Sequence, residues 1–161
     1  LFWLQILARK KTSVSEIMQK HWSTFGRHYY SRHDYESIPS DIANDLFQRV
    51  ESMLPELIGK NFSGEIISNA DNFSYVDPVD RTVTNNQGLR IILDNGSRVI
   101  LRLSGTGTQG ATLRVYLETY VKPTSDINQD PQIALKRMIN SIDALAEITQ
   151  RTHMSSPTVI T

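Results

Sequence analysis

At 161 residues the chain has room for one full domain and part of a second. Its 17 Lys and Arg balance 17 Asp and Glu, which excludes a bulk attraction to nucleic acid or to an anionic membrane, so any anion must be gripped locally. The absence of cysteine rules out a disulfide framework, a thiolate metal site and a cysteine nucleophile; with no apolar run near the roughly 20 residues of a membrane span, a soluble, cytoplasmic protein is expected.

The opening "LFWLQILARKK" places Leu1, Phe2, Trp3, Leu4, Ile6 and Leu7 on every side of a helix, a pattern that belongs to a helix buried all round. The segment is therefore expected to be cut from something longer, its packing partner lying elsewhere. Thr12 or Ser13 then caps a second helix, "SVSEIMQKHWSTFG", with Gly26 as its stop. The stretch "RHYYSRHDYESIP" is aromatic, charged and aperiodic. A domain junction is expected at about Gly26, dividing residues 1–26, the last helices of a preceding domain, from residues 27–161.

From Ser40 or Asp41 a long amphipathic helix carries Ile42, Leu46, Phe47, Val50, Met53, Leu54 and Leu57 on one stripe, with Pro55 expected to disturb its last turn. Between Gly64 and Thr84 the signals are short strands and turns, "DPVD" being one of the turns. "LRIILDNGSRVILRL" reads as two β-runs joined through Asn95-Gly96, a strong hairpin signal. "ATLRVYLETY" alternates Leu113, Val115 and Leu117 against Arg114, Tyr116 and Glu118, as a strand does. Asp130 as N-cap and Pro131 at the first helical position open a last helix running to about Gln150, and the tail "SSPTVIT" has no evident pattern. Antiparallel strands with a helix before and a helix after define an α+β domain, an antiparallel sheet with helices packed on one face.

The segment "RLSGTGTQGATLR" (102–114) holds the chemistry. Gly105, Gly107 and Gly110 match G-x-G-x-x-G, but a dinucleotide site needs a helix next, and an alternating strand follows. Gly105 to Thr112 has Walker-loop spacing, yet Ala111 stands where the lysine belongs. A simpler phosphate grip fits the residue types. Glycines let backbone N–H groups converge on an anion, Ser104, Thr106, Thr108 and Thr112 add uncharged donors, and Arg102 and Arg114 add forked cationic ones. The residues alone leave two readings open, an ordinary hairpin turn and an anion-binding loop.

"RLSGTGTQGATLRVYLETY" resembles the phosphate-binding loop of the α-D-phosphohexomutases. "SVSEIMQKHWSTFGRHYYSRHDYE", "ADNFSYVDPVD", "NQGLRIILDNGSRVILRLSGTG", "INQDPQ" and "PTVIT" extend the resemblance, within that group, to the C-terminal part of the phosphoglucomutases. The resemblance implies a four-domain enzyme interconverting glucose 1-phosphate and glucose 6-phosphate through glucose 1,6-bisphosphate. In such an enzyme a phosphoserine in the first domain donates the phosphoryl group, and Mg²⁺ held in the second stabilises the charge. This chain would supply the fourth domain and the end of the third. Its implied role is to clamp the phosphate that is not reacting with Arg102, Ser104, Gly105, Thr106, Gly107, Thr108 and Arg114. Thr108 and Gln109 depart from the residues frequent in family loops, serine and a small residue. The family's serine, metal and sugar-recognition loops are absent from the sequence, so the implied partners are a sugar phosphate and the three preceding domains, and the chain alone is expected to be inactive. A non-catalytic relative kept as a scaffold or interaction module is the alternative.

His21, His28, His33 and His153 lack metal-ligand spacing and are expected at surfaces or packing junctions. Asp77 and Asp80 are expected as turn caps rather than an acid/base pair, and Tyr29, Tyr30 and Tyr35 as packing groups rather than base-stacking platforms.

Overall fold

The computed structural model describes residues 1–107 and 110–161. Two helices open the chain, α1 (Phe2–Lys10) and α2 (Val14–Phe25). The all-round burial expected of α1 is not met within this chain: none of its residues is buried, and Phe2 and Leu4 are 74% and 65% exposed. The start of α2 is a full capping box, Ser13 Oγ accepting from the Glu16 N–H while the Glu16 carboxylate accepts from the Ser13 N–H. Gly26 ends the helix, its N–H donating to the Trp22 carbonyl.

Next comes strand β1 (Arg27–Ile38), where periodicity alone offered nothing. A strand buried on one face alternates, but residues 33–35 of β1 are buried on both faces, so the pattern is lost. Helix α3 (Ser40–Leu57) buries Ala43, Leu46, Val50, Leu54 and Leu57 on one stripe, each large side chain contributing about 1.5–3 kcal/mol of apolar burial. Pro55 sits within its last turn, and Ile58 turns to extended backbone three residues on. The short strand β2 (Asn61–Phe62) leads into β3 (Glu65–Val76), β4 (Val83–Leu93), β5 (Arg98–Gly107) and β6 (Gly110–Val121). Between Gly64 and Thr84 the strands are therefore long rather than short, joined by the expected turn at Asp77–Asp80.

The expected last helix is three, α4 (Pro131–Ala134), α5 (Lys136–Ala146) and α6 (Ile148–Thr152). Glu147 breaks the run at φ 54, and its carboxylate accepts from Arg49 and Arg151, while Arg49 also donates to the Leu145 carbonyl. Those bonds satisfy the groups that the break releases. Strand β7 (Val159–Ile160) ends the order, giving structure to a tail that showed no pattern.

All the pairings are antiparallel and the strands lie in the order β2-β3-β4-β5-β6-β1-β7. Val99, Leu101, Leu113, Val115 and Leu117 face α3 to α6 and form the core with Leu46, Val50, Met138, Ile142 and Ile148. Alternation sends Arg98, Ile100, Arg102, Arg114, Tyr116 and Glu118 to the other face, which these helices leave open. The expected α+β architecture, an antiparallel sheet with helices on one face, is the observed one.

Candidate phosphate-binding site

The β5–β6 hairpin carries the loop. Ser104 pairs with Thr112 and Gly107 with Gly110, with a register irregularity between Ser104 and Gly107. Gly105 and Gly110 take φ +70 and +89, where an L side chain is strained, so glycine is required for the backbone to turn as it does. Thr106 and Gly107 complete β5, whereas Thr108 and Gln109 lie outside the described residues.

Arg102 on β5 stands directly opposite Arg114 on β6, and Asp34 on β1 is opposite Arg114 in turn. Like charges facing each other across a sheet are destabilising, and an anion between them would relieve that repulsion. Neighbouring arginines on the same face behave differently. Arg90 is forked onto Asp71 at 2.9 and 2.7 Å, a bond that raises the guanidinium's pKa above its usual value. Arg98 is held by Glu118 and Arg32 by Asp34 at 2.9 Å. Arg102 has only a 3.4 Å contact to the Gln87 side-chain oxygen, and Arg114 only a 3.8 Å approach of Nε to Asp34 Oδ2. Among the described residues these two arginines alone on this face have no carboxylate within hydrogen-bond reach, and they stand at the glycine end of the hairpin.

The stem of Arg102 lies over Gly88 of β4. A Cβ at Gly88 would be 2.7 Å from the Leu101 carbonyl oxygen and 2.9 Å from Arg102 Cγ, so the absent side chain is what admits the arginine. Beside the clamp, the open face holds a cavity of about 430 Å³ bordered by Tyr30, Arg32, Arg98, Ile100, Tyr116 and Glu118. Sequence reasoning reached both arginines and the glycines but not Asp34, Gln87 or Gly88, whose connection to the loop exists only through strand register.

The remaining candidates scatter. His21 is exposed against the Phe25 ring, His28 meets Glu118 at 2.9 Å, His33 is buried against the Gln132 side chain at 2.8 Å, and His153 sits at the end of α6. Asp77 accepts from the N–H groups of Val79 and Asp80, and Asp80 from Thr82, so both are turn caps. The Thr82 N–H and hydroxyl hold the Asp80 carboxyl below the usual range. Tyr29 is buried, accepting from the Gln129 N–H and stacked under Arg27, whose other face meets Trp22. Tyr35 is also buried, and Tyr30 is exposed on the open face. Among the described residues no group of three or more His, Asp or Glu side chains could hold the Mg²⁺ that the resemblance implies.

The described residues form an α+β domain whose β5–β6 hairpin brings two guanidinium groups together on the open face of an antiparallel sheet. Residues 27–158 match the family model described as "Phosphoglucomutase-1, C-terminal domain". The whole chain aligns at 48% identity with a phosphoglucomutase of Rhizobium radiobacter and at 42% with phosphoglucomutase-1 of Homo sapiens, covering 30% of each. The solved structure of the exocytosis-sensitive phosphoprotein pp63/parafusin, a phosphoglucomutase from Paramecium in its open form, superposes with a TM-score of 0.84 at 40% identity, over 99% of this chain and 28% of its own. This chain belongs to the phosphoglucomutase family, its residues 27–158 corresponding to the C-terminal domain, and it spans somewhat under a third of the length of those relatives.

Proposed function

We propose that this chain is the phosphate-clamping part of a phosphoglucomutase that interconverts glucose 1-phosphate and glucose 6-phosphate through glucose 1,6-bisphosphate. The observation that carries the reading is the contrast on the open face: Arg32, Arg90 and Arg98 are hydrogen-bonded to carboxylates, while Arg102 and Arg114 face each other beside the glycine hairpin with no carboxylate at hydrogen-bond distance. A phosphate dianion between them accepts from both forks and from the hairpin N–H groups, relieving the repulsion of the cations. Ser104 and Thr106, with Thr108, are assigned as hydroxyl donors, and Gly105 and Gly107 as the positions where backbone approaches ligand. The clamp holds the idle phosphate while nucleophile and Mg²⁺, supplied by the preceding domains, carry out the transfer. Its contribution is positioning, which lowers the entropic part of the barrier. Residues 1–26 are assigned to the end of the preceding domain, and the enzyme to the cytoplasm, as in the Arabidopsis thaliana relative designated cytoplasmic.

The test is Arg114→Ala in the complete polypeptide. The expected result is a raised KM and a lowered kcat, together a loss of about 2 to 4 kcal/mol of transition-state stabilisation with unchanged thermal unfolding. Wild-type kinetics would remove the assigned role. A second reading rests on the Paramecium relative, described as an exocytosis-sensitive phosphoprotein as well as a phosphoglucomutase. On that reading the domain serves as a scaffold or interaction module, and mutase activity of the complete polypeptide separates the two.

A further inference from the structure

We infer that Asp34 is a positioning residue of the clamp: it fixes Arg114 from the neighbouring strand and ties the C-terminal segment to the phosphate site. The inference rests on the function proposed above and adds a residue to it. Asp34 is 4% exposed, an unusual place for a carboxylate in the middle of a strand. Its two oxygens point to different cations, Oδ1 accepting from Arg32 Nε at 2.9 Å and Oδ2 lying 3.8 Å from Arg114 Nε. The Arg114 Nε is itself buried without a hydrogen-bond partner. That is a costly state for a charged group unless the approach to Asp34 closes to hydrogen-bond distance when the site is loaded. The remaining Arg114 nitrogens have no partner among the described residues, so the fork is left for an anion while its inner nitrogen is steered by the carboxylate.

The tail pairs with the edge of the strand that carries Asp34. The Asp34 carbonyl accepts from the Thr158 N–H at 2.8 Å, Asp34 pairs with Val159 across β1 and β7, and Arg32 exchanges both backbone bonds with Thr161. Those bonds close the edge of β1 beside Asp34, which is 4% exposed. A carboxylate screened from water orients a guanidinium more strongly than an exposed one.

The experiment compares Asp34→Asn, Asp34→Glu and Arg114→Ala, with the two double variants, in the complete polypeptide. It reads kcat and KM for glucose 1-phosphate alongside the thermal midpoint. Asp34→Asn is expected to lower kcat/KM about 30-fold and Asp34→Glu, which keeps the charge, by about 3-fold; neither should cost anything further in the Arg114→Ala background. A structural role would give the same loss in both backgrounds, and that result overturns the inference, as does an Asp34→Asn enzyme within 2-fold of wild type. If Asp34→Asn does not accumulate folded, the comparison is made with Asp34→Glu, whose loss must likewise vanish beside Arg114→Ala. An impaired Arg114→Ala with an unimpaired Asp34→Asn sinks this inference alone, whereas an unimpaired Arg114→Ala sinks the clamp itself.

Discussion

Single residues on the open face decide what the domain can hold, and charge pairing sorts them. An arginine already forked onto a carboxylate has little left for a ligand, and the desolvation of the pair is balanced within the protein. Arg102 and Arg114 lack that arrangement: Arg102 meets the uncharged Gln87 and lies over Gly88, while Arg114 only approaches Asp34 at 3.8 Å. Gly88 is the sharpest case, because a Cβ there meets backbone, the Leu101 carbonyl oxygen, rather than a flexible side-chain end. Gly88→Ala is expected to destabilise the domain by about 1–3 kcal/mol, read as a lowered midpoint in thermal unfolding, and to weaken phosphate binding by displacing Arg102. An unchanged midpoint and unchanged affinity would show that β4 yields at no cost.

Elements differ in how much of them could be read directly. The Asn95-Gly96 hairpin and the alternation of Leu113, Val115 and Leu117 are local signals, and the structure follows them. The strand β1 is the opposite case. Its charged and aromatic residues follow no simple period, and the partner on its outer edge, β7, lies more than a hundred positions later in the sequence. The break at Glu147 depends likewise on Arg49, distant in sequence. What was missed at the site has the same origin: Arg102 and Arg114 share one short motif, while Asp34 reaches them only through pairing. At the start of α2, by contrast, the cap is local and titratable. Hydrogen bonds from the Thr12 hydroxyl, the Ser13 N–H and the Ser13 hydroxyl hold the Glu16 carboxyl at about 2 instead of its ordinary 4.5. Its folded value lies below the unfolded one, so the cap's stabilisation is complete above about 4.5 and is lost as pH falls toward 2. Amide exchange should show the first turn of α2 fraying in that window, and Glu16→Gln should remove most of the pH dependence. Fraying that is equal in both proteins would assign the effect elsewhere.

The whole domain presents one covered face and one open face, and the open one carries Arg102 and Arg114, the proposed clamp, at its hairpin end. On the proposed reading, the nucleophile and metal are supplied by the preceding domains. The chain alone should show no mutase activity in a coupled assay and should bind glucose 1,6-bisphosphate no better than about millimolar, since one hairpin with two arginines encloses little of the ligand. Micromolar binding in an NMR titration would mean that this domain forms a complete site by itself. The most direct measurement is a crystal structure of the complete polypeptide with glucose 1,6-bisphosphate in the closed state. One phosphate is expected within about 3 Å of the guanidinium groups of both Arg102 and Arg114 and of the hairpin N–H groups. A bound bisphosphate with neither phosphate on that hairpin, and both arginines directed elsewhere, would contradict it.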